Sequence, residues 1–231
     1  MIKLGVKISG THERDFLIAQ ELQKLNMIKE RDSVVQYNGS TRNILACFMH
    51  ALESFDGTDV THAVILQDDL QLCEGVLEIV KKCCEHFEGA VWSLFCSRIT
   101  DSDKKTDSPY IKIKDCGMYG PAIIFPMKYL VDFKSWQKEC VPEGFLHDDT
   151  VIGEYCKQNK IEVMSTIPSL LQHLGGRSSL LGHNCNVISK VWKGEKEPLK
   201  SDWENMDYNI SKTINNSFAS QIKKRGKNEN D

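Results

Sequence analysis

The sequence predicts an α/β fold in which a mainly parallel sheet is flanked by helices. Three times in the first 87 residues, a short apolar segment is followed by one whose apolar residues recur at helical spacing. This alternation is typical of a parallel sheet with helices on its faces. The length of 231 residues fits one globular domain. Hydrophobic residues at 41% and charged residues at 26% exclude disordered, collagen-like and coiled-coil chains.

Each element of the first half follows from its own pattern. The strands alternate or are continuously apolar, whereas the helices have apolar residues three and four positions apart. Polar or glycine-containing turns separate them, and Ser40 or Thr41 offers a side-chain oxygen to cap the second helix. We expect strands at residues 2–9, 33–37 and 62–67, and helices at residues 15–26, 41–55 and 74–87.

The second half of the sequence predicts further strands and two helices, after which the chain becomes polar. The alternating segment 110–114 is expected at an edge or in a hairpin, and segment 161–174 is expected to close the sheet. The predicted domain covers residues 1–188, and residues 189–231 form a polar, loose C-terminal appendage with a basic end. The remaining expected elements are strands at residues 90–96 and 122–126 and helices at residues 128–139 and 148–157.

Two adjacent carboxylates, Asp68 and Asp69, end the most apolar predicted strand. Burial and mutual repulsion oppose the ionisation of such a pair unless a positive charge lies beside it. A divalent cation with oxygen ligands, Mg²⁺ or Mn²⁺, would supply that charge. Alternatively, the pair caps the next turn or helix. In open α/β sheets, ligands bind beyond the carboxyl ends of the strands, which is where this pair lies.

Two further segments carry candidate functional groups. Asp148 and Asp149 begin a predicted helix, where one can cap the helix and the other can act as a general base; capping alone is the structural alternative. His173 can complete the coordination of a metal such as Mn²⁺, although a lone histidine is more often structural. The Gly-Gly-Arg-Ser-Ser segment that follows it provides flexible backbone, a guanidinium and hydroxyls that suit phosphate oxygens.

Charge and cysteine content bear on partners and location. The 29 Lys and Arg against 32 Asp and Glu give a net charge of −3, which argues against a generally cationic nucleic-acid or membrane binder. Nine cysteines, an odd number without a Cys-x-x-Cys pair, predict buried thiols in a reducing compartment. With no signal-peptide pattern and no apolar run of about 20 residues, we expect a cytoplasmic protein that does not contact membranes.

In their order along the chain, these segments resemble the GT-A fold glycosyltransferases that carry an Asp-x-Asp type motif. The resemblance covers about residues 1–185, and it rests on four segments rather than on any one motif. It implies a single-domain, Rossmann-like, mixed and mainly parallel sheet flanked by helices. The segments are Leu-Gln-Asp-Asp-Leu at 66–70, Cys-Gly-Met-Tyr-Gly-Pro-Ala at 116–122, Asp-Asp at 148–149 and Pro-Ser-Leu-Leu-Gln-His-Leu-Gly-Gly-Arg-Ser-Ser at 168–179.

The resemblance implies a metal-dependent transfer of a sugar from a nucleotide sugar, a UDP-sugar by expectation, to a hydroxyl group. Asp69 would ligate Mn²⁺ or Mg²⁺ at the donor diphosphate, with His173 as a further ligand, and Asp68 would contact the ribose or the donor sugar. Gln67 stands where an acidic residue is more usual, which makes His173 more important. Asp149, with Asp148 as the rival choice, would be the base of an inverting enzyme.

The same resemblance places the remaining donor contacts on two loops and, for Arg42, on a helix. Thr11, Glu13 and Arg14 would hold the nucleotide base and ribose, and Arg42 would lie near the nucleotide. A mobile loop closing over the diphosphate would contain Arg177, Ser178 and Ser179.

The sequence leaves alternatives open for both the acceptor and the reaction. The small size is similar to bacteriophage-encoded glycosyltransferases, which favours a hydroxymethylated pyrimidine in DNA as acceptor and a host cytoplasmic location. Lys112, Lys114 and the cluster at 223–227 would then contact phosphates, although the first two also fit the solvated face of an edge strand. Lipopolysaccharide, another surface glycan or a protein is the alternative acceptor. A metal-dependent hydrolase or phosphotransferase and a catalytically silent nucleotide-binding module are the alternative functions.

Overall fold

The fold is built around one mixed sheet, seen in a computed structural model. The structure describes residues 1–10, 34–36, 44–96, 108–114, 118, 120–174, 176–177, 184–185, 188–196, 211–213 and 219–225. The described strands are β1 (Leu4–Gly10), β2 (Val34–Gln36), β3 (His62–Gln67), β4 (Leu70–Leu72), β5 (Val91–Ser93), β6 (Tyr110–Lys114), β7 (Ala122–Pro126), β8 (Val163–Thr166), β9 (Leu171–His173), β10 (Gly176–Arg177), β11 (Asn184–Cys185) and β12 (Ser211–Thr213). The described α-helices are α1 (Ile44–Glu53), α2 (Val76–His86), α3 (Leu130–Cys140) and α4 (Asp148–Gln158).

The large sheet has the strand order β12-β6-β8-β5-β7-β3-β1-β2. Strands β1, β2 and β3 pair in parallel, as the strand–helix alternation predicts, and β5 pairs in parallel with β8. Strand β7 lies between β3 and β5 and runs antiparallel to both. The result is an α/β fold in which helices flank a mixed sheet, and it is compatible with a Rossmann-like architecture.

The core forms where the apolar faces of the helices cover the central strands. Every residue of β7 is buried, and in β3 only Gln67 is partly exposed, which explains their continuous apolar sequences. A cluster of aromatic rings joins β7 to α3 and α4, with Phe133 between Phe125 and Tyr155. These contacts pack the second half of α4 against α3 and the sheet.

The described cysteines contribute to this core as thiols. The seven whose side chains are described are all buried, which agrees with the small buried thiols that the sequence predicts. Burial raises the pKa of Cys83 well above its ordinary value and that of Cys84 to about 12. These side chains therefore stay uncharged near neutral pH and pack as small apolar groups.

No helix in the described part of the chain has the length and apolar character needed to cross a membrane.

Two expectations for the second half are wrong. Strand β6 is not at the edge of the sheet, because β12 pairs with it in parallel on the side away from β8. Residues 161–174 do not form one closing strand, because β8 lies inside the large sheet, whereas β9 pairs with β4 in a separate two-stranded sheet. The helix predicted at residues 15–26 lies outside the described residues. The polar loop expected at residues 99–109 also lies outside them, except for Ser108 and Pro109.

The described parts of the C-terminal segment contact the sheet and the helices. Arg225 donates to Asp132 at 2.7 Å and to Glu139 at 3.1 Å, and Ile222 is buried. Earlier in the segment, Ser189 N donates to Gln172 Oε1 at 2.7 Å. These residues correct the expectation of a loose tail, because polar composition did not reveal partners that lie far away in the sequence.

We predict that Ile222→Ala lowers the free energy of unfolding by about 2 kcal/mol, because it removes a buried side chain between the C-terminal segment and the helices. Chemical denaturation followed by circular dichroism would measure the change. Ser220→Ala, at an exposed position of the same segment, is the matched control and should change stability little. Equal stabilities for the wild type and Ile222→Ala would contradict the docking of this segment.

Candidate active site at the carboxyl end of the sheet

Asp68 and Asp69 form a short turn between β3 and β4, and both are buried. Two backbone hydrogen bonds fix this turn. Gln67 N donates to Pro121 O at 2.9 Å before it, and Leu174 N donates to Asp69 O at 2.9 Å after it. The pair therefore lies at the carboxyl end of a central strand, with its backbone held on two sides by β7 and β9.

His173 is placed beside Asp69 by the small sheet, in which it is the register partner of Leu70. Its Nε2 lies 3.1 Å from Asp69 Oδ2, and the two side chains are only 6% and 12% exposed. The ring packs near Phe95, and its Nδ1 is buried without a hydrogen-bond partner among the described residues. The sequence-predicted metal ligands Asp69 and His173 are thus brought into direct contact.

The pair fits a divalent cation in both chemistry and spacing. Carboxylate oxygen and imidazole nitrogen are ligands that Mn²⁺ accepts. Two neighbouring ligands of an octahedral ion, each about 2.1 Å from it, are about 3 Å apart, which is close to the observed separation. Without a cation, the same spacing suits a hydrogen bond between the two side chains.

Within the described ranges, no group of three or more His, Cys, Asp or Glu side chains could hold a metal ion. Two protein ligands nevertheless suit Mg²⁺ or Mn²⁺ in a nucleotide site, because such ions keep several waters and take further oxygens from substrate phosphates. The residues present therefore fit a cation that is shared with a bound diphosphate.

The second acidic pair occupies the first turn of α4. Asp149 N donates to Asp148 Oδ1 at 2.8 Å, and Thr150 donates to Asp149 Oδ1 from its backbone N at 2.7 Å and from its hydroxyl at 3.3 Å. The N-cap position belongs to His147, whose side chain makes no capping hydrogen bond. The expectation that one aspartate caps this helix is therefore corrected: each carboxylate binds the amide of the following residue inside the first turn.

The two carboxyl groups have different surroundings. Asp148 is 6% exposed, whereas Asp149 is partly exposed. Burial, reinforced by the charge of Asp149, raises the pKa of Asp148 well above its ordinary range. Asp149 has the two donors of Thr150 and the positive end of the helix to stabilise a negative charge.

Gly120 connects the two acidic pairs. A Cβ atom at this position would lie 3.1 Å from Asp148 Oδ1 and 3.3 Å from Asp149 Cβ, so a larger residue would require the start of α4 to shift by a few tenths of an ångström. The next residue, Pro121, accepts the hydrogen bond from Gln67 N. Both pairs therefore lie at the same end of the sheet. Sequence reasoning missed this contact, although the glycine-punctuated segment before a buried strand was its visible signal.

The other predicted donor-binding residues are only partly covered by the structure. Thr11, Glu13, Arg14, Arg42, Ser178 and Ser179 lie outside the described residues. For Arg177 the backbone is described, in β10 opposite Asn184, but not the side chain.

The described neighbours of these residues lie at the same end of the sheet as the two acidic pairs. Ser9, near the end of β1, is the register partner of Gln67. Leu45, at the start of α1, donates its backbone N–H to Leu146 O at 3.1 Å, just before the second pair.

A cavity of about 400 Å³ lies at the opposite end of the sheet, near the start of β3. Its buried histidine, His62, has both ring nitrogens engaged, by Thr61 Oγ1 at 3.0 Å and by Glu88 O at 2.9 Å. Burial lowers the pKa of His62. This cavity contains neither acidic pair, so we place the candidate active site at the carboxyl end.

No protein-family model matches this chain, and no curated protein shows significant similarity to it.

Proposed function

We propose that this chain is a metal-dependent glycosyltransferase of the GT-A type that moves a sugar from a nucleotide sugar to an acceptor hydroxyl with inversion. The observation that carries the proposal is the contact of 3.1 Å between buried Asp69 and His173, at the same end of the sheet as Asp148 and Asp149. One pair suits a cation and a diphosphate, and the other offers a carboxylate for proton transfer.

Asp69 and His173 would hold Mn²⁺ or Mg²⁺ between them, and Asp68 on the same turn would contact the ribose or sugar of the donor. The cation would neutralise charge that develops on the leaving nucleoside diphosphate. Asp149 would accept the proton of the acceptor hydroxyl as its oxygen attacks the anomeric carbon. The bond to the diphosphate breaks as the new glycosidic bond forms, which inverts the configuration at that carbon.

The acceptor belongs to the same proposal. A hydroxymethylated pyrimidine in DNA remains our first choice, with a surface glycan or a protein as the alternative. Lys112, one of the candidate phosphate contacts, forms an ion pair with Glu162 on the exposed face of the sheet. This pairing leaves exposed Lys114 and the basic residues near the C-terminus, such as exposed Lys223 and Lys224, as the more available contacts in the described part of the chain.

The first test measures the thermal unfolding of the chain with UDP, Mn²⁺ or both. We expect UDP and Mn²⁺ together to raise Tm by roughly 5 to 10 °C at a hundredfold excess over Kd, and each alone to raise it much less. The reason is that the diphosphate and the two side chains would share one cation. Failure of UDP and other nucleoside diphosphates to stabilise the chain with Mn²⁺ would remove the main support for the proposal.

The second test identifies the product by mass spectrometry. The chain is incubated with Mn²⁺ and a panel of nucleotide sugars, together with hydroxymethylated DNA, lipopolysaccharide or protein. We expect one acceptor to gain the mass of one sugar residue. Equal release of free sugar or phosphate with and without acceptor would instead favour the metal-dependent hydrolase or phosphotransferase. Binding without any turnover would favour the silent nucleotide-binding module.

A further inference from the structure

We infer that Asp148 is a positioning residue whose carboxyl group stays neutral, so that Asp149 alone carries the negative charge at the start of α4. This inference rests on the proposed function, because it assigns separate roles to the two aspartates of the same site. Asp149 is then the base, and Asp148 is a neutral residue that positions it.

The position of Asp148 disfavours a charge. The side chain is 6% exposed, and its Oδ1 accepts one hydrogen bond, from Asp149 N at 2.8 Å. Gly120 packs against the same oxygen and contributes no side chain that could offset a charge. Among the described residues, no Lys, Arg or His forms an ion pair with Asp148. A neutral carboxyl group accepts the hydrogen bond through its carbonyl oxygen without the cost of burying a charge.

Asp149 has the opposite surroundings. It is partly exposed and accepts two hydrogen bonds from Thr150, so solvent and donors both stabilise its charged form. Two adjacent carboxylates repel each other, and a helix N-terminus carries only about half a positive charge. The single negative charge therefore belongs on Asp149.

Among the described residues, the titratable groups that flank Asp148 along the chain are Asp149 on the same helix and His147 directly before it. Two causes raise the pKa of Asp148 to about 8. Burial is the larger cause, and the charge of Asp149 is the smaller one. A carboxyl group with a raised pKa in the folded chain destabilises the fold as it ionises. The penalty is absent below about pH 4, grows as the pH rises, and is complete above about 8.

The experiment compares the wild type with Asp148→Asn, because an amide imitates a neutral carboxyl group. We expect the Tm of Asp148→Asn to exceed that of the wild type progressively more as the pH rises from about 4 to about 8. Glu143→Gln, which changes an exposed carboxylate of the preceding turn, is the control and should follow the wild type. Parallel pH profiles for the wild type and Asp148→Asn would overturn the inference.

The transfer rate provides a readout that a purely structural role would not change. At pH 7, Asp148→Asn should lose far less of the transfer rate than Asp149→Asn, because the group it replaces is neutral there. Above about pH 8 the wild-type rate should depart from its value at pH 7, because ionised Asp148 changes the charge and basicity of the pair, whereas the rate of Asp148→Asn should stay level. A loss of a hundredfold or more in Asp148→Asn at pH 7 would overturn the inference by making Asp148 the base.

Infrared difference spectroscopy of the wild type keeps the test independent of the variant's folding. The carbonyl band of a protonated carboxyl group should be present at pH 7 and disappear as the pH is raised. A chain that binds UDP and Mn²⁺ but lacks this band at pH 7 would overturn this inference alone. A chain that shows the band but binds no nucleoside diphosphate would overturn the proposed function and support the assignment of the proton.

Discussion

Replacing Asp69 by Asn should abolish the joint stabilisation by UDP and Mn²⁺ while the fold is kept. The carboxylate lies 3.1 Å from His173 and is largely buried, so it would provide most of the negative charge that attracts a cation. An amide has a similar shape but no charge and is a poorer ligand. We expect Kd for Mn²⁺, measured by calorimetry with saturating UDP, to rise by at least about a hundredfold.

Glu143→Gln is again the matched control, because it removes a carboxylate from an exposed turn. Its Kd for Mn²⁺ should equal that of the wild type. A double-mutant cycle sharpens the test: if Asp69 and His173 bind the same ion, Asp69→Asn and His173→Gln should be strongly non-additive. An unchanged Kd in Asp69→Asn would show that the cation, if bound, lies elsewhere.

The elements that the sequence predicts best have strong local patterns. Strand β3 is predicted and observed at the same residues because a continuous apolar run ends abruptly in two aspartates. The start of α4 at Asp148 is likewise predicted, since a Pro-Glu-Gly turn and acidic residues precede an apolar pattern. In both cases the residues that define the element are neighbours in the chain.

The errors concern pairings between distant segments. Strand β12 consists of Ser211–Thr213, which has no apolar pattern, and it exists because β6 offers a free edge far back in the sequence. The three-residue strands β4 and β9 are similarly too short to reveal their pairing. Tertiary structure rather than local propensity determines such strands.

In the candidate site, too, local sequence patterns were predictive and contacts between distant segments were not. Adjacent acidic residues marked the two pairs, but the contact between Asp69 and His173 depends on the pairing of β4 with β9. The difference in burial between Asp148 and Asp149 depends on how closely Gly120 approaches α4. Residue type therefore predicted the candidate groups, whereas their burial and contacts required the fold.

Replacing Asp149 by Asn should lower kcat for sugar transfer by about 10²- to 10⁴-fold, which is the usual contribution of a general base. Binding of UDP and Mn²⁺ should stay unchanged, because Asp149 belongs to the acidic pair that the proposal assigns to the acceptor rather than to the cation. The side-chain oxygen of Asn can still accept the hydrogen bonds that Thr150 donates to Asp149, so the first turn of α4 should remain folded. Mass spectrometry of single-turnover reactions would measure the rate.

Asp148→Asn separates the two possible bases. If the base is Asp149, the two Asn variants differ by a hundredfold or more at pH 7, although they exchange the same atoms at adjacent positions. The configuration of the product provides the second criterion, because a single base that activates the acceptor requires inversion at the anomeric carbon. Retention of configuration, established by nuclear magnetic resonance, would contradict direct attack. Normal transfer by Asp149→Asn would require another proton acceptor at the carboxyl end of the sheet.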